Sequence, residues 1–473
     1  MKRRTFIKNT GIFGSSILFG KNLALATTAP EFKIVRIDPS KRKFTSAAIE
    51  KAISDFNKNV KNKELAWLFN NCFPNTLDTT VTYSENGGKP DTYVITGDID
   101  AMWLRDSTAQ VWPYMPFIEK DPKLKSLIAG VIFRQAKCIN KDPYANAFYD
   151  DDSKVGEWKN DLTDMRPGLH ERKWEIDSLC YPIRLSYHYW KHTGDVKPFD
   201  AHWQQAVKAI LKTFKEQQRK NGDGPYHFQR NTAWATDGVP MNGYGYPVKP
   251  VGLICSAFRP SDDATIYSFL IPSNFFAVVS LKQAAEMMTV IANDSATAAE
   301  LTALSNEVAS ALKEHATVTH SKYGKVYAYE VNGFGSYNLM DDANIPSLLA
   351  MPYLGAVEAS DEVYQNTRKL LLSEDNPFYF KGTAAEGIGG PHIGKDMIWP
   401  LSLIARGLTS SDDQEIRYCI QTLQKTHGGT GFMHESFHKD DPAKFTRSWF
   451  AWANTIFGEF LWKTYQTKPQ LLS

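Results

Sequence analysis

The lengths of the gaps between helices constrain this chain more than any single helix does. From Phe44 onward, apolar residues recur at spacings of three, four and seven, which places them on one face of a helix. Such stretches are expected over residues 45–70, 106–118, 123–140, 175–193, 199–219, 271–292, 296–316, 343–354, 360–373, 395–408, 412–426 and 447–465. In the fifth, for example, Trp203, Val207, Ile210, Leu211 and Phe214 line one face. No convincing run of alternating strands interrupts them. The gaps after the second, fourth, sixth, eighth and tenth stretches are only a few residues long. The gaps before the even-numbered stretches are longer and crowded with polar residues. Six antiparallel helix pairs joined head to tail close into a ring with one helix of each pair inside. The expected fold is therefore all-α, an (α/α)6 barrel, with every connection into an inner helix at one end. Long polar loops gathered there suit binding and catalysis, and the helix N-termini add free N–H groups. No low-complexity linker breaks residues 30–473, which are expected to form a single catalytic domain.

The remaining residues read as an address. Lys2-Arg3-Arg4-Thr5-Phe6-Ile7-Lys8 is similar to a twin-arginine motif, an apolar stretch runs from Gly11 to Gly20, and Ala24-Leu25-Ala26 has the pattern of a cleavage site. Residues 1–26 are expected to be an export signal peptide, with the mature chain periplasmic. The apolar run is too short to span a bilayer comfortably, so no stable membrane insertion is expected. The chain has 54 Lys and Arg against 52 Asp and Glu, and Lys2, Arg3, Arg4, Lys8 and Lys21 all fall in the signal. The rest is slightly acidic, which argues against a nucleic-acid partner. Five cysteines without C-x-x-C spacing read as small buried apolar residues.

Chemistry concentrates at the helix entrances. Gly97 to Tyr114 reads GDIDAMWLRDSTAQVWPY, in which Trp103, Arg105 and Asp106 combine an aromatic face, a fork of donors and a carboxylate. That set suits a ring carrying many hydroxyls, as does an aromatic content of 13%. A related pattern recurs as Arg105-Asp106-Ser107, Ile176-Asp177-Ser178, Asp262-Asp263-Ala264 and Asp341-Asp342-Ala343. The second residue of each stands where an N-cap belongs, so Asp106, Asp177, Asp263 and Asp342 have a capping reading beside a ligand-facing one. By the same register Asp262 and Asp341 are spare carboxylates. Glu435 lies in a loop with no evident capping duty, and Glu386 lies in a Gly-rich loop where backbone can approach a ligand closely. Arg105, Arg259 and His392 supply donors. A paired Cys/His ligand set, a Walker loop and Gly-x-Ser-x-Gly are all absent. Two well-placed carboxyls suffice for glycoside hydrolysis, one protonating the leaving oxygen and the other activating water or attacking the sugar.

The stretches GDIDAMWLRDSTAQVWPY, HERKWEIDSLCYPIRLSY, FRPSDDATIYSFLIPSNFFA, GGPHIGKDMIWPLSLIARGL and GFMHESFHKDDPAKFTRSWFAWANTIFGE resemble glycoside hydrolase family 125, the exo-α-1,6-mannosidases. The resemblance runs from about Glu50 to Tyr465. It implies an (α/α)6 barrel that releases non-reducing terminal mannose from α-1,6-linked mannosides, such as N-glycan or mannan fragments, with inversion and without metal or other cofactor. It places the acid in the SDD motif, at Asp262 or Asp263, and the base at Glu435 in the HES motif. Arg105 and Asp106 are implied to hold the terminal mannose. Trp103, Glu175, Asp177, Arg259, Glu386, His392 and His434 are the further candidates for substrate contact. Two alternatives use the same toroid: a periplasmic glycan-binding protein without catalysis, and a sugar isomerase or lyase.

Overall fold

Helix-forming stretches with one apolar face have to be buried against each other, and the computed structural model, which describes residues 32–473, shows how they are. The export signal expected over residues 1–26 lies outside the described residues. Val35–Ser473 form one compact unit. Its α-helices are α1 (Ala47–Asn59), α2 (Lys63–Cys72), α3 (Asn75–Thr79), α4 (Leu104–Val111), α5 (Pro122–Lys141), α6 (Ile176–Thr193), α7 (Ala201–Gln217), α8 (Ile271–Val290), α9 (Ser295–His315), α10 (Glu362–Leu371), α11 (Pro400–Leu408), α12 (Asp413–Lys425) and α13 (Ala451–Thr467). α4 packs on α6, α6 on α8, α11 on α13, and α13 returns to α4. α5, α9 and α12 lie outside, against α6, α8 and α11 respectively. The scaffold is an (α/α)6 toroid. Inner helices are buried nearly all round: α8 contributes Phe276, Ala277, Leu281, Ala284, Met287 and Met288 to the core. Among the described residues no helix is long and apolar enough to cross a membrane.

The expected elements are revised in four places. The stretch 45–70 is two helices, broken before Asn62, whose side chain caps α2 by accepting from Leu65 N–H. The stretch 106–118 begins earlier, at Leu104, and passes at Trp112 into 3-10 turns that contain Pro113 and Pro116. The stretch 343–354 is a series of turns rather than a helix. Pro346 and Pro352 each lack the N–H that an α-helix needs. This segment still takes the inner place of its pair, since Ile345 O accepts from Tyr181 on α6 and Leu349 O accepts from Tyr364 on α10. Its first turn is held by Asp341, which accepts from Leu348 and Leu349 N–H at 2.9 and 3.0 Å. Asp341 is therefore no spare carboxylate, and burial pushes it up to about 8.

Fourth, the loops contain small antiparallel sheets, so the fold is mostly helical rather than purely so. Met102–Trp103 pairs with Ala147–Phe148, which pairs with Leu169–Glu171. Phe269–Leu270 pairs with Glu330–Val331, and Met397–Ile398 with Ser436–His438. Pairs this short cannot display a period of two in sequence. Their position matters more than their length. Met102–Trp103, Phe269–Leu270 and Met397–Ile398 each run into an inner helix (α4, α8 and α11), so the sheets fix the loops at that end of the barrel.

Capping separates the two rings. The outer helices α2, α5, α7, α9, α10 and α12 are each capped by an Asn or Asp side chain: Asn62, Asp121, Asp200, Asp294, Asp361 and Asp412. The inner helices α4, α6, α8, α11 and α13 start at Trp103, Glu175, Leu270, Trp399 and Phe450, none of which makes a side-chain cap bond. The capping readings of Asp106, Asp177, Asp263 and Asp342 thus fail. Asp106 and Asp177 lie inside the first turns of α4 and α6, and Asp263 and Asp342 lie in loops. Their carboxylates are engaged elsewhere.

Candidate active site

Four carboxylates meet on one guanidinium. Arg105, in the first turn of α4, donates from Nη1 to Glu175 at 2.5 Å and to Asp177 at 3.2 Å, and from Nη2 to Asp262 at 3.2 Å. Asp106 stands 3.4 Å from Arg105 Nε and accepts from Thr96 Oγ1 at 2.5 Å. Arg105, Asp106, Glu175 and Asp177 are all buried, whereas the Asp262 side chain keeps 20% of its surface exposed. Burial raises Asp106 and Asp177, the latter to about 6. Burial also drives Glu175 well above the usual carboxylate range. Burial and Glu171 push Asp262 up too, but Arg105, Lys173 and a hydrogen bond from Glu175 outweigh them and hold it below its ordinary value.

The two adjacent aspartates of the SDD motif have different surroundings. Asp262 has a left-handed backbone, φ 66°, with its N–H on Arg259 O at 2.9 Å and its carbonyl gripped by Lys173 Nζ at 2.8 Å. Its carboxylate also faces Asn146 Nδ2 at 3.4 Å. Lys173 is itself buried and bonded to Asp237 at 2.5 Å, within a network in which Arg230 joins Asp161, Glu171 and Asp237. Asp263 is buried, accepts from Thr236 Oγ1 at 2.8 Å and faces His392 Nδ1 at 3.3 Å. Asp342 accepts from Ser261 Oγ at 2.6 Å and so braces the same turn.

Glu435 reaches this region from the loop before α13. Its Oε1 lies 3.7 Å from Arg447 Nη1, and Arg447 also donates to Asp98 and to Thr96 O. His392 lies in the fields of Asp263, Glu435 and Asp262, which ties the two loops to one site. Burial lowers His392, but those three acids outweigh it and raise it to about 9.

Arg105, Asp106, Glu175, Asp177, Asp262, Asp263, His392 and Glu435 therefore belong to one constellation. The other candidates have different places. Trp103 is packed edge-on to His170 at 5.0 Å in a small cluster with Ala101, Ala147 and Tyr149, so its ring is core rather than an open platform. Arg259 is bonded to Glu330 at 2.7 Å, and its backbone pairs with the SDD turn, donating to Asp263 O at 2.7 Å and accepting from Asp262 N–H. His434 stacks on Phe445 with ring centroids 3.7 Å apart, and its nitrogens meet the carbonyls of His427 and Arg447. It braces the Glu435 loop. Glu386 faces Lys381 and Arg406 at 3.6 and 3.8 Å, and Arg406 leads outward to Glu415 on α12. Among the described residues, no hydrogen bond or ion pair joins Glu386 to the carboxylate constellation. Asn146, Lys173 and Arg447 went unrecognised in the sequence: each is a single polar residue whose role depends on long-range pairing. Among the described residues no group of three or more His, Cys, Asp or Glu side chains is arranged to hold a metal ion. The carboxylates converge on guanidinium groups instead.

A loop-built acidic mouth on a helical toroid has counterparts among known proteins. The family model of the metal-independent α-mannosidases of glycoside hydrolase family 125 matches residues 62–462. The chain belongs to this family. A metal-independent α-mannosidase from Streptococcus pneumoniae, solved in a non-productive complex with α-1,6-mannobiose, is 41% identical with a TM-score of 0.86, covering 90% of this chain and 100% of that one. The meiotically up-regulated gene 157 protein of Schizosaccharomyces pombe is 43% identical over 450 residues, 91% of this chain and 88% of its own. The glucoamylase of Saccharomycopsis fibuligera, at 12% identity and a TM-score of 0.52 over 91% of this chain and 98% of its own, shares the fold. This metal-independent α-mannosidase carries its glycoside hydrolase chemistry on the toroid described above.

The His392–Asp263 pair makes stability pH-dependent. A histidine raised to about 9 in the folded chain binds its proton more tightly than when unfolded. Its stabilisation is complete below about pH 6.5 and is lost as pH rises through 9. Thermal unfolding should show stability falling by about 1–3 kcal/mol across that window, and falling less in His392→Gln. An equal pH slope in both proteins would remove His392 as its source.

Proposed function

We propose that this glycoside hydrolase removes non-reducing terminal mannose from α-1,6-linked mannosides, such as N-glycan or mannan fragments, with inversion at the anomeric carbon. The observation that carries the reading is the division of labour at the mouth. One partly exposed carboxyl, Asp262, is locked in place on the Arg105 side, and one carboxylate, Glu435, is held by Arg447 on another loop. The α-1,6-mannobiose held by the 41% identical relative supports the linkage. Asp262 is the better acid of the SDD pair because it keeps contact with the mouth, whereas Asp263 is engaged by Thr236 and His392.

In this mechanism the terminal mannose lies between the two loops, oriented by Arg105, Asp106 and Asp177. Asp262 gives a proton to the glycosidic oxygen as the bond to the anomeric carbon breaks. Glu435 takes a proton from a water attacking the opposite face. The product is β-mannose.

The mature chain, incubated with chelator and with α-1,6-, α-1,3- and α-1,2-mannobiose in turn, should release β-mannose from the 1,6 isomer alone, as followed by NMR. Initial release of α-mannose would overturn inversion, and turnover of the other isomers would overturn the linkage. Residues 1–26 support export to the periplasm. A periplasmic fraction containing the shortened chain is expected, and a cytoplasmic full-length chain would oppose it.

A further inference from the structure

The constellation contains six acids where hydrolysis needs two, and Glu175 and Asp177 are the most deeply buried of them. Glu175 is fully buried at the start of α6. Its Oε2 accepts from Arg105 at 2.5 Å and from Ser178 Oγ at 2.9 Å, while its Oε1 is buried and accepts from no donor. Among the described residues, Arg105 is the only cationic side chain ion-paired with Asp106, Glu175, Asp177 or Asp262. Lys173 and Arg447 add positive charge at longer range to Asp262 and Asp106, but neither pairs with Glu175, and an ionised carboxylate with an unsatisfied buried oxygen is very costly, so the cluster favours holding a proton there. Glu175 and Asp262 accept from the two terminal nitrogens of the same guanidinium, at 2.5 and 3.2 Å, which makes the two carboxyl groups neighbours. Neighbouring carboxyl groups can share a hydrogen bond only when one of them carries a proton. Glu175 is the buried partner and Asp262 the one facing the mouth.

We propose that Glu175 stores the acid proton of the resting enzyme and hands it to Asp262, which delivers it to the glycosidic oxygen. This rests on the assignment of Asp262 as the acid. The O–H bond of Glu175 breaks as an O–H bond forms on Asp262. That proton passes to the leaving oxygen, which also takes the electron pair of the breaking C–O bond. Water supplies the new bond to carbon and gives its proton to Glu435. After product leaves, Glu435 releases that proton to solvent and the Glu175–Asp262 pair takes one up, so the cycle closes with one water consumed. The pair titrates as a unit, and the charged and titratable groups around it are Arg105 and Asp106 on α4, Asp177 on α6, and Glu171, Lys173, Tyr226 and His392 from the adjoining segments. The strong upward displacement of Glu175 beside a lowered Asp262 agrees with the proton residing on Glu175.

The test compares wild type, Glu175→Gln and Asp262→Asn on α-1,6-mannobiose and on 2,4-dinitrophenyl α-mannoside, whose leaving group departs without protonation. The glutamine of E175Q matches the size of the protonated acid but cannot give up a proton. Mannobiose turnover by E175Q at pH 7 should fall at least about tenfold, with a much smaller loss on the dinitrophenyl substrate. Its alkaline limb on mannobiose should move to lower pH, because Asp262 then draws its proton directly from solvent. Glu175→Asp keeps a transferable proton and should keep the wild-type alkaline limb at reduced turnover. Equal losses on both substrates by E175Q, unchanged mannobiose turnover, or a displaced alkaline limb in E175D would each overturn the proposal. Normal mannobiose turnover by D262N would instead remove Asp262 as the acid.

Discussion

Glu435→Gln is expected to lower turnover of α-1,6-mannobiose by about 10²–10⁴-fold while leaving its affinity within a few-fold of wild type. The substitution keeps the size of the side chain and removes only its ability to accept water's proton. Arg447, whose guanidinium stands 3.7 Å from Glu435, still has Asp98 as a partner, so the loop should keep its place. Binding measured by calorimetry and turnover measured on the same preparation separate the two effects. Near-normal turnover would exclude Glu435 as the base. Loss of binding in step with turnover would make it a substrate ligand. Unlike the acid variants, E435Q should be equally impaired on the dinitrophenyl substrate, because water must be activated whatever group leaves.

Arg105→Met carries the largest expected cost to stability. Methionine fills much of the same volume but leaves Asp106, Glu175, Asp177 and Asp262 without the guanidinium on which they converge. Removing one member of a buried ionic cluster typically costs about 3–5 kcal/mol, since the remaining charges stay desolvated. The sign of the pH dependence follows from the same contacts. Arg105 lowers the pKa values of these acids, opposing the upward push of burial. Without it they take up protons more readily, and the folded chain then binds more protons than wild type. The deficit in stability should therefore shrink as pH falls towards about 5 and grow as pH rises. Denaturant unfolding of both proteins across that range would show it. A deficit below about 1 kcal/mol at pH 7, or one independent of pH, would mean that the cluster is not held by Arg105. Activity should be lost as well, since Arg105 anchors Asp262 and the expected mannose-binding carboxylates together.

Much of the toroid was legible because its information is local. Amphipathic periods mark most of the helices, and gap lengths mark which connections lie at the mouth. The outer caps are equally local, although only the structure singles them out: Asp121, Asp200, Asp294, Asp361 and Asp412 act on N–H groups two or three residues ahead. Where local rules misled, a distant partner had taken over. Asp106 and Asp177 look like caps, yet Arg105 binds both, with Asp177 lying 72 residues further along the chain. Asp341 looks like a spare acid, yet it caps a turn seven residues ahead because prolines prevent the expected helix.

By itself, then, the sequence determined the ring of helix pairs, the end at which the polar loops gather, and the SDD and HES motifs that carry the acidic residues. Only the tertiary structure decided which acids share Arg105, why Glu386 and His434 stand outside the constellation, and how Asn146, Lys173 and Arg447 enter it. The reason is range. Helix periodicity and capping are set by neighbours within a turn or two, whereas the protonation and orientation of a buried carboxyl depend on charges tens to hundreds of residues away, which come within a few ångströms only when the barrel closes.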